Sequence, residues 1–245
     1  MRRLVSAWTA AALLCAAPAQ ALVGPSTEAG AGEAAQVVMV LKRAARGAGF
    51  CTGVVVSSTI VLTAGHCAQG AQALAINTAL AGAPPRLIEV RDVAMHPEYR
   101  ANAAQRRQRS IDMAMLRLAT PLPASFAPAR LDQAGAVTTG ARFRVVGFGL
   151  TREGDERSAG RLRAGELEAR APLSRILLWA RDPQGAGFGA CTGDSGGPVF
   201  SDSGAVAAIV SWSAGAGKKR CGELTQAALV APQLDWIARV SANWR

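Results

Sequence analysis

The sequence predicts an all-β domain, and two observations carry that expectation. Its apolar residues fall in many short runs rich in β-branched side chains, separated by Gly, Ser and Pro turn signals. Only one stretch, close to the end, has its apolar residues at helical spacing. In chain order, Val37 to Leu41, Thr52 to Val56 and Ile60 to Thr63 read as strands. Leu87 to Val93, Met113 to Leu118, Phe143 to Gly147, Ile176 to Trp179, Val199-Phe200 and Val206 to Trp212 continue in the same style. Pro232 to Val240 sets Leu234, Ile237 and Val240 on one side with Trp236 beside them, the pattern of an amphipathic helix packed on the strands. Arg100 to Arg109, Arg152 to Gly160 and Gly185 to Gly189 read as exposed loops, and no internal repeat is evident.

The first 21 residues are expected to be a signal peptide rather than part of the fold. Arg2 and Arg3 make a basic start, Ala7 to Ala17 is mostly apolar, and Ala19-Gln20-Ala21 has the small-x-small form of a cleavage site. The apolar run is too short to span a bilayer well, and no later stretch is apolar enough, so no stable membrane insertion is expected. Bulky Leu14 ahead of Cys15 argues against a lipoprotein cut. Losing Arg2 and Arg3 lowers the formal charge from +10 to +8. A basic surface favours acidic partners, yet the basic residues are scattered apart from Arg106-Arg107-Gln108-Arg109 and Lys218-Lys219-Arg220. Aromatic residues do not interleave with them, which excludes a nucleic-acid reader. The remaining 22–245 suits one sizeable domain or two small lobes divided near 120–130. Without Cys15, four cysteines remain, Cys51, Cys67, Cys191 and Cys221, and in an exported chain they predict two bridges among three possible pairings. No Cys or His spacing suits a metal, and no cofactor motif is present.

One stretch carries the chemistry. Cys191 to Pro198 reads Cys-Thr-Gly-Asp-Ser-Gly-Gly-Pro, a serine framed by glycines whose turns leave backbone N–H groups uncovered. Upstream lie Val61-Leu62-Thr63-Ala64-Gly65-His66-Cys67 and Ser110 to Leu118, which contains Asp112. Breaking an acyl bond takes a nucleophile, a proton acceptor and donors for the oxyanion, and a serine hydroxyl needs a base to take its proton as it attacks. His66 is the candidate base, because imidazole titrates near neutrality.

In this order, His, Asp, Ser, the three segments resemble the chymotrypsin/trypsin family of serine proteases, and the similarity runs through nearly the whole chain after residue 21. The resemblance implies two six-stranded antiparallel barrels with the catalytic groups at their junction. It implies Ser195 as nucleophile, His66 as base, Asp112 as the group that orients the imidazole, and the N–H groups of Gly193 and Ser195 as the oxyanion hole. It pairs Cys51 with Cys67 and Cys191 with Cys221. His96, in Met95 to Tyr99, matches a variable surface segment with no catalytic role.

The same resemblance places Gly189 and Ala190 at the base of the primary pocket, where a trypsin-like preference for Arg or Lys needs an acid. Ser211, Trp212 and Ser213 pair with the substrate backbone. Alignment back from Asp235-Trp236-Ile237 puts Thr225 in the opposite wall, whereas alignment on Cys221 puts Gly222 there with Glu223 beside it; the first is preferred because it needs no insertion. Ser213 and Thr225 then narrow the slot toward small or medium apolar residues such as Ala or Val. Finally, a new N-terminus at Leu22 is expected to pair its α-ammonium with Asp194 once the signal is cut after Ala21. A cut after Ala19 instead leaves Gln20-Ala21 for a second protease to remove. The expectation is a secreted or periplasmic endopeptidase of bacterial type, monomeric, acting on proteins or peptides without a cofactor. The alternative is a silent relative that binds anionic surfaces.

Overall fold

The computed structural model describes residues 22–78, 86–106 and 108–244. The expected signal peptide and both of its cleavage points lie outside them, save for Leu22. Among the described residues no helix is long and apolar enough to cross a membrane.

Two closed barrels make up the molecule. The first joins β2 (Val37–Ala44), β3 (Ala48–Ser57), β4 (Ile60–Thr63), β5 (Ala71–Asn77), β6 (Leu87–Met95) and β7 (Ala114–Leu118) in the order β2-β3-β4-β7-β6-β5. The second joins β8 (Arg142–Gly147), β9 (Arg163–Ala169), β10 (Leu177–Arg181), β11 (Pro198–Ser201), β12 (Val206–Ala214) and β13 (Leu224–Leu229) in the order β9-β10-β13-β12-β11-β8. Pairing of β8 with β9 closes that ring, and the short β1 (Thr27–Glu28) adds to β9. Every strand pair is antiparallel, and the C-terminal helix Leu234–Asn243 follows the last strand.

Strand alternation explains how one sequence serves both barrels and the junction between them. On β4, Val61 points into the first barrel while its neighbour Leu62 joins the cluster between the barrels. On β7, Leu116 and Met115 divide in the same way. The junction cluster takes Val54, Leu62, Met113 and Met115 from one side and Val146, Phe148, Phe200 and Ile209 from the other. Trp236 and Ile237 of the helix close it. Each such fully buried apolar side chain contributes about 1.5–3 kcal/mol, so the two barrels behave as one packed body. Disulfides join Cys51 to Cys67 and Cys191 to Cys221, closing loops 16 and 30 residues long.

Four expectations need correction. Strands β5, β9 and β13 were not foreseen, because Ala, Gly, Gln and Glu dominate them and their β structure comes from neighbours on both edges. Gly185 to Gly189 is not wholly an exposed loop: Phe188 and Gly189 are buried, with the Phe188 ring filling the space where a Cβ on Gly165 would stand. Arg100 to Arg109 contains a helical turn, Ala103–Arg106. His96 does not lie on the surface; it is buried edge-on against Trp236, with ring centroids 4.7 Å apart, where the first barrel meets the final helix. Burial lowers its pKa.

Candidate active site

His66 sits on the one-turn helix Gly65–Ala68 that follows β4, and the Cys51–Cys67 bridge ties that turn to β3. Gly65 is required there, since a Cβ would stand 2.7 Å from the Tyr99 ring and 3.1 Å from Asp112 Oδ1. Asp112 enters from the stretch just before β7. Its Oδ2 is 2.8 Å from His66 Nδ1, its Oδ1 accepts the His66 backbone N–H at 2.9 Å, and the Ser211 hydroxyl donates to Oδ2 at 2.6 Å. Burial pushes the Asp112 carboxyl up, but the hydrogen bonds and charge of His66, with the bond from Ser211, outweigh it and hold the group below the usual carboxylate value. Asp112 is therefore an anion with all its strong donors fixed. Tyr99, pushed up to about 12 by burial and by Asp112, stays a neutral phenol that donates to Gln69 Oε1 at 2.6 Å. Lys42 reaches the same turn from β2, and its ammonium donates to the His66 carbonyl at 3.1 Å and to that of Gln69.

Ser195 lies on the loop between the second bridge and β11. Gly193 and Gly196 both take positive φ, +95° and +83°. A Cβ on Gly193 would meet the Phe50 ring at 2.1 Å, and one on Gly196 would meet Thr63 Oγ1 at the same distance, so both positions demand glycine. β3 of the first barrel holds this loop. The Thr52 N–H donates to Ser195 O at 2.8 Å, the Thr52 hydroxyl donates to Gly193 O at 2.8 Å, and that hydroxyl accepts the Phe148 N–H at 3.1 Å. The Thr63 hydroxyl in turn donates to Thr52 O. Cys67 Sγ stands between the two halves of the site, 3.8 Å from His66 Nε2 and 3.7 Å from Ser195 O. The Ser195 hydroxyl makes no hydrogen bond to His66 in this structure, and the N–H groups of Gly193 and Ser195 donate to no acceptor among the described residues.

Gly189 and Ala190, just ahead of Cys191, are both buried. Thr225, 1% exposed, faces them: its hydroxyl accepts the Ala190 N–H at 3.0 Å and would lie 3.3 Å from a Cβ on Gly189. Thr225 is directly opposite Ser213 in the β12–β13 ladder. Glu223 is exposed, its carboxylate 3.8 Å from the Arg181 guanidinium. β11 pairs with β12 only as far as Ile209, and the last backbone bonds on that side involve Val210. Beyond it the edge of Ser211, Trp212 and Ser213 has no strand beside it among the described residues, and Trp212 is 47% exposed.

Asp194 is fully buried. Gly149 and Cys191 donate their N–H groups to its two oxygens at 2.8 and 2.9 Å, but burial dominates and raises its carboxyl to about 7. Leu22 is also fully buried, in the core of the second barrel with Phe143, Val145 and Phe188, and Gly189 donates its N–H to Val23 O at 3.1 Å.

A model of the family described as Trypsin matches residues 23–237. The chain belongs to the trypsin family. Trypsin 5G1 of Aedes aegypti is 33% identical over 210 residues, covering 78% of this chain and 75% of that protein. The Vitellin-degrading protease of Bombyx mori is 30% identical over 190 residues, covering 69% of each. Among solved structures, neuropsin, a serine protease of mouse brain, superposes with a TM-score of 0.69 at 22% identity, covering 88% of this chain and 98% of its own. That likeness shows the fold; the family shows a serine endopeptidase. These sequence relatives come from insects, and the bacterial type expected from the sequence has no support from them. Within this trypsin-family site, Cys51, His66 and Cys67 bring ligand atoms within 4.8 Å of one another, but both sulfurs are committed to the disulfide and offer no thiolate to a metal. Sequence reasoning passed over Thr52, Tyr99 and Lys42. Nothing marks them locally, because their partners are a backbone carbonyl, a glutamine and a helix end remote in the chain.

Proposed function

We propose that this trypsin-family endopeptidase cleaves peptide bonds through Ser195, His66 and Asp112, after small or medium apolar residues. The observation that carries the proposal is the His66–Asp112–Ser211 chain of hydrogen bonds set against the Ser195 loop. In it, Asp112 holds the Nδ1 proton on His66 and leaves Nε2 free to accept. As Ser195 Oγ attacks the carbonyl, its proton passes to Nε2, the carbon becomes tetrahedral, and the oxyanion takes the Gly193 and Ser195 N–H donors. Return of the Nε2 proton to the leaving amine breaks the peptide bond and leaves an acyl-serine. Water, deprotonated by the same nitrogen, then attacks the acyl carbon, and the Nε2 proton passes to Ser195 Oγ as the ester bond breaks and the acid leaves. Gly189 supplies no charge for a basic side chain, and Thr225 fills the far wall, which supports a short apolar residue before the scissile bond.

The proposal extends to export and activation. Cleavage after Ala21 frees an α-ammonium at Leu22, whose side chain is buried in the second barrel, and this ammonium turns in to pair with buried Asp194. Leu22 holds φ at +64° while the chain runs on before it, an unfavourable conformation for a side chain with a Cβ, and cleavage there removes the constraint. An α-amino group, ordinarily near pKa ~7.7–8.0, is raised by such a pairing. Its contribution is complete below that ordinary value and is lost as pH rises through the folded one, so activity fades at alkaline pH before the fold melts. N-terminal sequencing of the active protein tests the cut, and a start at Gln20 overturns it.

A fluorophosphonate probe and peptide-library profiling test the central reading. Labelling that disappears in Ser195→Ala, with cleavage after Ala or Val, is the expected result. A correctly bridged protein that neither labels nor cleaves would instead be the silent binder, and dominant cleavage after Arg or Lys would overturn the pocket assignment.

A further inference from the structure

Next to His66 a cleft of about 480 Å³ runs between two unlike walls. Trp212, Ile176 and Leu177 form an apolar wall. Arg100, Arg109 and Gln108, from the loop between β6 and β7, form the other. The carboxylate that lines the cleft, Asp112, is already committed to His66 and Ser211 and is only 15% exposed. Glu98, outside the lining, meets Arg109 at 3.3 Å, but both side chains are more than half exposed. Such a pair is worth little and yields readily to a competing anion. Arg100 is exposed and has no carboxylate partner among the described residues. The backbone of Arg100 is nonetheless fixed, its N–H donating to the Ser110 hydroxyl at 2.8 Å, so the guanidinium hangs from an anchored point at the cleft rim.

We infer that this cleft selects substrates with acidic side chains two to four residues before the scissile bond. The inference rests on the proposed function, since it takes the free edge of Ser211 to Ser213 as the track of that part of the peptide. A glutamate suits both walls: its methylenes lie on Trp212 while its carboxylate meets Arg100, and a guanidinium–carboxylate contact is the stronger for its two parallel hydrogen bonds. A lysine at the same place meets like charge. Because the arginines are exposed, the effect is moderate and screened by salt.

The test uses peptides alike except for Glu, Gln or Lys at each of those positions. With the enzyme starting at Leu22, kcat/KM is expected to favour Glu over Lys by roughly three- to tenfold, the ratio shrinking toward one in high salt. Arg100→Glu reverses the ratio, while Arg157→Glu, an equal change of net charge on an exposed residue elsewhere, leaves it as it was. Binding of the same peptides to Ser195→Ala, followed by Trp fluorescence, reads the cleft without chemistry. Loss of cleavage for every peptide, with Glu still preferred in binding, would sink the proposed function and keep the cleft assignment. Equal handling of Glu and Lys in both formats, or a ratio unmoved by Arg100→Glu, overturns the inference.

Discussion

The hydroxyl of Thr52 donates a hydrogen bond to the carbonyl oxygen of Gly193 at 2.8 Å, across the junction between the barrels. Through it a strand of the first barrel holds the peptide unit that follows Gly193 on the Ser195 loop of the second. Thr52→Val keeps the shape but strips Phe148 N–H of its acceptor and Gly193 O of its donor. The expected cost in stability is about 1–3 kcal/mol. Activity should also fall by about tenfold in kcat with KM little changed, less than the ~100–1000-fold of a lost oxyanion donor. Thermal melts and steady-state kinetics check both; an unchanged kcat in a destabilised variant would reduce Thr52 to a packing role.

Asp112→Asn keeps the geometry but presents an amide to His66 Nδ1, favouring the wrong tautomer. A drop in kcat of roughly 10⁴-fold is expected. Ser211→Ala removes one donor of the three that Asp112 accepts and should cost far less, about tenfold or below. Burst-phase kinetics on an ester substrate would separate the two, and equal losses would contradict the ranking.

Thr225→Gly removes the side chain that lies against Ala190 and Gly189, the floor of the proposed pocket. Cleavage should shift from Ala and Val toward larger residues such as Leu and Phe, at a cost in stability because the Ala190 N–H loses its acceptor. Competitive profiling of wild type and variant on one library reads the change directly. An identical profile would remove Thr225 from the substrate wall.

Asp194 sets a pH dependence whose sign follows from its environment. Its folded pKa, about 7, lies above the ordinary 3.8 because burial outweighs the two N–H bonds. For a chain with no cation facing it, the stabilising protonated form is fully present below the unfolded value. It is lost as pH rises through the folded one. A precursor blocked ahead of Leu22 should therefore lose stability between about pH 4 and 7, and Asp194→Asn should flatten that slope. The form starting at Leu22 should show no such loss until its α-amine deprotonates. Denaturant titrations of the three proteins across pH 4 to 9 suffice, and parallel profiles would exclude the pairing.

Much of the fold was legible because strands such as Ile60–Thr63 and the first half of Val206–Ala214, through Val210, advertise themselves with β-branched side chains, buried on both sides. Ala71–Asn77 and Arg163–Ala169 did not, since alanines and glutamates form strands there only because a barrel must close around them. His96 misled for a related reason: its segment looks like surface, and only the final helix, arriving from more than a hundred residues away, covers it with Trp236.

The sequence alone determined the all-β class and the order of the three segments proposed to carry catalysis. It also determined the glycines that a nucleophile loop needs, because each is a local property of residue type and spacing. The tertiary structure decided what those residues touch. Asp112 meets His66 through the pairing of β4 with β7 inside the first barrel, and reaches Ser211 only when β7 and β12 of different barrels face each other. Thr225 comes beside Ala190 only in the register that β13 takes against β12. Arg100 faces Trp212 across a cleft for the same reason, its loop belonging to one barrel and its opposite wall to the other. Such contacts depend on how two closed sheets dock through a shared apolar junction, and that docking is set by the packing of Leu62, Met115, Val146 and Ile209 together.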